Sequence, residues 1–199
     1  MSKEEQVKDF LRKYGLARPE DLQEHGISPS YLAKLAERGV LKRIVRGVYA
    51  DPDHVPTEHH DLAIVQMRVP HAVFCLRTAL RFHELTTQSP SSVEIAIPRG
   101  RRKPSLEWPP IDVIRVSESQ FDAGIETHEL REGPTIRVYS PARTVADCFK
   151  FRSRLGLDVA LETLEACLDD DLCTVEDLTH FAEICRVKNV IRPYLQALA

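Results

Sequence analysis

Residues 28–49 read SPSYLAKLAERGVLKRIVRGVY, and the change of period inside this stretch decides the fold of the amino-terminal quarter. Its first half is helical: Ser28 can cap, Pro29 suits the first position, Leu32, Leu35 and Ala36 share one face, and Gly39 closes the run. The opposite face presents Ser30, Tyr31, Lys34 and Arg38. From Val40 the pattern becomes β-rich, dotted with Lys42, Arg43 and Arg46, and Gly47 permits a tight turn. Two short strands forming a basic hairpin follow from that composition.

Upstream, 4–14 places Val7, Phe10 and Leu11 at helical spacing and stops before Gly15. A second short helix is predicted at about 18–25, with Pro19 near its first turn, acidic Glu20 and Asp21 beside its positive end, and Gly26 after it. Downstream, 51–57 (DPDHVPT) has linker composition. Three short helices and a basic hairpin predict a winged helix-turn-helix domain over 1–52.

Such a unit suits double-stranded DNA, because its third helix fits the major groove while the hairpin lies along the phosphate backbone or dips into the minor groove. In that docking Ser28 and Ser30 approach phosphates or base edges. Tyr31, Lys34 and Arg38 supply longer contacts, with Lys34 the base reader, and Lys42, Arg43 and Arg46 clamp the backbone. The same residues also fit a solvated helix face or a protein-contact surface, and Tyr31 also fits a half-buried packing position. Charge is divided to match: residues 1–50 hold ten Lys or Arg against seven Asp or Glu, a balance of +3, so the remainder carries −6 of the net −3.

Beyond the linker, 58–199 reads as a mixed α/β domain that ends in helices, so the chain as a whole is α+β. A helix is predicted at 58–68, a short strand or helix start at 72–75, and a helix at 76–85. Strands follow at 93–97, 111–116, 125–130 and 136–139. Ser140-Pro141 repeats the cap-and-proline device and opens a helix through Phe149, and helices at about 155–169, 174–186 and 188–198 complete the chain, with Thr174 as a cap.

No stretch is apolar for the eighteen residues a membrane span needs, and the charged start MSKEEQVKDF differs from a signal peptide, so a cytoplasmic protein is expected. Five cysteines without a CxxC pair are read as reduced, buried thiols. His54, His59, His60 and Asp61 cluster in sequence, but adjacent histidines point to different sides of a helix, and no metal or other cofactor is expected. Arg99, Arg101, Arg102 and Lys103 form a basic turn suited to a phosphate or a partner, or else to solvent. Arg143 and Asp147 are spaced to pair on one helix. Glu94 lacks the companion residues of a nuclease strand, and no GxSxG, Walker or GxGxxG pattern is present, so no catalytic residues are assigned and a degenerate nuclease is the weakest reading.

Four segments, in order, carry a resemblance. Residues 35–49 (LAERGVLKRIVRGVY) resemble the end of the winged helix-turn-helix in the AbiEi family, the antitoxins of type IV toxin-antitoxin and abortive-infection systems. Residues 76–85 (LRTALRFHEL) resemble its SALxxHGL helix, with Thr78 for the usual serine and Glu84 for the usual glycine. Residues 93–102 (VEIAIPRGRR) resemble its strand and basic turn, and 138–147 (VYSPARTVAD) its PARTLxD helix start. The match covers roughly 5–155. The resemblance implies a phage-defence module in which the amino-terminal domain binds inverted repeats in its own promoter and represses it. It also implies an antitoxin domain that counters a nucleotidyltransferase-like toxin without a stable complex. A module that neutralises a partner protein directly, without DNA, is the alternative.

Overall fold

The computed structural model describes residues 2–198. It divides into two compact units. The first takes the chain up to Pro70 together with Ser105–Pro109 and His128–Ile136, and the second takes His71–Pro104, Pro110–Thr127 and the chain from Arg137 onward.

In the first unit α1 (Lys3–Tyr14) opens with a reciprocal cap: Ser2 Oγ accepts from Glu5 N at 3.2 Å, and the Glu5 carboxylate accepts from Ser2 N at 3.3 Å. Then come β1 (Leu16–Ala17), a 3-10 helix (Glu20–His25) where a second helix was predicted, and α2 (Pro29–Glu37). At α2 the predicted cap is present, Ser28 Oγ accepting from Tyr31 N at 3.2 Å with Pro29 in the first position. The hairpin is β2 (Lys42–Val45) and β3 (Val48–Ala50), and β1 pairs with β3 to give a three-stranded antiparallel sheet in the order β1-β3-β2.

Val7, Leu11, Leu22, Ile27, Leu32, Leu35, Leu41 and Tyr49 pack the helices onto this sheet. Burying each leucine or isoleucine contributes about 1.5–3 kcal/mol. The sheet's other contacts explain why the unit exceeds the 1–52 segment: Leu16, Val45, Val48 and Ala50 pack against Ala63, Ile64 and Met67 of α3 (His60–Arg68). The DPDHVPT segment therefore connects elements of one core.

The second unit has a sheet in the order β6-β5-β4-β8-β7. Its elements are β4 (Val73–Phe74), α4 (Leu76–Phe82), β5 (Val93–Pro98), β6 (Ile111–Val116), α5 (Glu118–Phe121), β7 (Ile125–Glu129), β8 (Thr135–Tyr139), α6 (Pro141–Lys150), α7 (Arg152–Leu155), α8 (Leu157–Asp169), α9 (Val175–Cys185) and α10 (Lys188–Leu198). β4 runs antiparallel to β5 and parallel to β8, and β5 is parallel to β6. The α+β class read from the sequence holds, with helices closing the chain.

Residues 142–149 of α6 are all buried, packed among α4, α8, α9 and α10. Within that core Arg143 is wholly buried: Nε donates to Asp147 Oδ2 at 3.1 Å, and Nη1 donates to the Gln120 and Ala123 carbonyls, each at 2.7 Å. The Cys185 thiol donates to the other Asp147 oxygen at 3.3 Å, and burial pushes its pKa up to about 12. Glu94, also buried, accepts from the Arg77 backbone N–H at 2.7 Å at the start of α4, and from the Arg77 and Arg154 guanidiniums at 3.1 and 2.9 Å. Both carboxylates are committed to holding the fold.

One reading is corrected. Cys167 and Cys173 form a disulfide across the turn between α8 and α9, while Cys75, Cys148 and Cys185 are free and buried. Six residues apart, the pair is brought together because the chain reverses there, with Leu172 N donating to Cys167 O at 3.0 Å.

Candidate nucleic-acid interface

Helical geometry puts Ser28, Ser30, Lys34 and Arg38 on the solvent side of α2, and all four are exposed, while Leu32 and Leu35 are fully buried. Ser28 spends its oxygen on the cap and also lies 3.0 Å from Ser30 Oγ, so its first task is structural. Tyr31 is half-buried and packs against the core of the unit. In the wing, Lys42, Arg43 and Arg46 are exposed, and the ladder pairs Lys42 with Ala50 and Arg43 with Tyr49 before a bulge shifts the register at Val45.

Several cations of this unit are paired, whereas Lys3 Nζ donates to the Gly26 carbonyl and Lys13 lies over the Tyr14 ring. Lys8 pairs with Glu4 at 3.1 Å, Arg12 with Asp9 at 2.9 Å and Arg18 with Asp21 at 2.7 Å. Arg38 leans back to Glu4 at 3.4 Å. Among the described residues Lys34, Lys42, Arg43 and Arg46 have no carboxylate partner. Four uncompensated charges on the outer face of α2 and on the wing make a surface whose natural counterpart is an anion.

Two side chains that sequence reasoning missed join this surface. Arg68, ending α3, brings its guanidinium beside the wing tip, where a Cβ on Gly47 would stand 3.3 Å from Arg68 Nη1. Gly47 also has φ +79°, so the turn depends on glycine twice over. Trp108, the single tryptophan of the chain, is 54% exposed and lines a cleft with Lys42, Arg43, Ile44 and His60. Neither has a local sequence signal, since each reaches the wing through tertiary packing.

The histidine cluster is partly assembled. His54 Nε2 lies 3.4 Å from His60 Nδ1, and burial, then His54, lowers the His60 pKa, whereas His59 faces Glu58 at 3.5 Å. Among the described residues no group of three or more His, Cys, Asp or Glu is arranged to hold a metal ion. In the second unit Arg99, Arg101, Arg102 and Lys103 are all exposed, on a turn whose carbonyls at Arg99 and Arg101 both accept from Arg115 Nη1 at 2.8 Å.

The elements of the first unit are those of a winged helix-turn-helix. Residues 5–50 match the family model described as "Transcriptional regulator, AbiEi antitoxin". No curated protein matches the chain. Among solved structures, the crystal structure of the RV2827C protein from Mycobacterium tuberculosis is similar, with a TM-score of 0.61 at 18% identity over 91% of this chain and 71% of that one. At that identity the likeness speaks for the fold. Among the described residues no helix is long and apolar enough to cross a membrane.

Proposed function

We propose that this chain is a DNA-binding autorepressor and the antitoxin of a two-gene module. The first unit binds duplex DNA at inverted repeats in its own promoter, and the chain counters a nucleotidyltransferase-like toxin. The observation that carries the DNA reading is the placement of unpaired cations: among the described residues Lys34 on α2 and Lys42, Arg43 and Arg46 on the wing are exposed without a carboxylate partner, on the two elements with which a winged helix-turn-helix meets DNA. Lys34 reads a base in the major groove, Ser30 and Arg38 flank it, and Lys42, Arg43, Arg46 and Arg68 hold phosphates. Ser28 orients the helix, and Tyr31 contributes its hydroxyl edge from a packed ring. The match over 5–50 and the motifs further along the chain support the antitoxin assignment. The cytoplasm, where promoter and toxin would meet, is the proposed location.

The test is an anisotropy titration of the protein against its upstream region and a scrambled duplex. Tight binding that prefers the upstream region is expected, and equal, weak binding to both would contradict the repressor. The same titration read through Trp108 fluorescence should show a change that saturates with the anisotropy, because the indole lies in the cleft with Lys42 and Arg43.

A further inference from the structure

In the second unit, a cleft of about 620 Å³ is lined by His71, Pro98, Gly100, Arg101, Glu118, Phe121, Asp122 and Arg137. His71 Nε2 is shielded from solvent and has no hydrogen-bond partner among the described residues. A buried polar atom left in this condition is unfavourable unless something fills the role of partner. Two guanidiniums bear on the same imidazole. Burial first, then the positive charges of Arg101 and Arg137, lowers the His71 pKa.

The Arg137 side chain and the Arg101 backbone are held in place. Arg137 Nη1 donates to the His71 carbonyl at 3.3 Å, and its guanidinium lies 5.8 Å from the centre of the Phe121 ring. Arg101 sits on a turn closed by its own N–H to Pro98 O at 3.0 Å and clasped by Arg115. An imidazole and two guanidiniums lining one cleft are groups suited to receive an anion. The two carboxylates on the same cleft narrow the choice of anion. Glu118 adjoins Gly100, where a Cβ would stand 3.7 Å from Glu118 Oε1, and Asp122 completes the lining. A continuous polyanion such as a duplex backbone would be repelled there, whereas one phosphate on a molecule bearing hydroxyl or amino groups would be matched at both kinds of contact.

We propose that this cleft is a phosphate site: His71, Arg101 and Arg137 receive one phosphate group, and Glu118 and Asp122 accept hydrogens from the molecule that carries it. The assignment stands apart from the DNA reading, since it uses residues of the second unit only. The phosphate could come from a free nucleotide or from the 5′ end of a nucleic acid strand, and the experiment separates the two.

The experiment follows the His71 ring protons by NMR through a pH titration of the intact protein, with the resonance assigned by His71→Asn. Inorganic phosphate should raise the His71 pKa, because a bound anion opposes the two guanidiniums, and sulfate, whose charge is constant in this range, should do the same. Arg101→Ala should weaken phosphate binding at least tenfold while leaving the circular dichroism intact, and Arg102→Ala, on the same turn, should leave binding unchanged. A response to adenosine monophosphate assigns the free nucleotide. A response to a 5′-phosphorylated oligonucleotide but not to its 5′-hydroxyl counterpart assigns the strand end. No change in the His71 pKa with any of these anions, or the same change in Arg101→Ala, would overturn the site.

Discussion

Arg43 and Arg46 stand exposed on the wing without a carboxylate partner among the described residues, whereas Arg143 in the second unit is wholly buried and bound to Asp147 and two backbone carbonyls. Both groups carry the same charge, and although the spacing of Arg143 and Asp147 indicates a pair, the sequence does not show that this pair is buried. What separates them is desolvation. A guanidinium taken out of water must have its charge met inside the protein, as Asp147 meets that of Arg143, so it becomes part of the scaffold. One left in water keeps its charge available to a ligand, at the cost of a solubilised, unpaired side chain that adds little to stability. On α2 and the wing the exposed, unpaired cations point to function, and in α6 the buried Arg143 points to architecture.

The sharpest way to break this contrast is Arg143→Ala. Removing the guanidinium leaves Asp147 uncompensated in the core, and a loss of about 3–5 kcal/mol is expected in urea denaturation. A loss below about 1 kcal/mol would mean that the pair behaves like a surface one and that burial does not distinguish the two groups. Lys34→Ala should do the reverse: unfolding should be unchanged, while discrimination between the upstream region and a scrambled duplex falls by about 1–3 kcal/mol. Competition titrations would measure it, and undiminished preference would move base reading away from Lys34.

Two smaller effects sharpen the boundary between the roles. Ser28 belongs to the candidate surface yet caps α2, so Ser28→Ala should cost about 1 kcal/mol of stability in thermal unfolding. Unchanged stability would return Ser28 to a purely ligand-facing role. Glu84 has φ +62° at a position where the AbiEi-like motif has glycine. Glu84→Gly should therefore be stabilising by a few tenths to about 1 kcal/mol, the relief of a left-handed backbone outweighing the entropy glycine adds to the unfolded chain. A destabilised variant would show that the Glu84 side chain contributes more than its backbone costs.

Much of the fold was legible where one local signal carries the whole meaning. The Ser-Pro pairs at 28–29 and 140–141 and Thr174 mark helix starts because capping is a local event. The strand at Ile111–Val116 falls where its β-branched residues and flanking proline and serine place it. Other features depend on contacts remote in sequence. β1 is two residues long and exists only because β3 lies beside it. The helix predicted at about 18–25 is a 3-10 helix (Glu20–His25), too short to show an α-helical period. The burial of Arg143, the pairing of Cys167 with Cys173, and the approach of Arg68 to the wing tip all come from the way helices pack. The α2 and wing residues were nameable because a helix face and a hairpin have fixed periods, whereas Trp108 reaches the same unit from a segment more than fifty residues further along the chain.

The central claim is that the unpaired cations of the first unit serve DNA phosphates. It is tested most directly by the salt dependence of duplex affinity for the wild-type protein and for the double variant Arg43→Ala, Arg46→Ala. Each phosphate contact contributes a slope of about −0.9 in the logarithm of affinity against the logarithm of salt, so the double variant should bind specific and scrambled duplexes more weakly and show a slope shallower by about 1.8. Unchanged affinity and an unchanged slope in a folded variant would contradict the account.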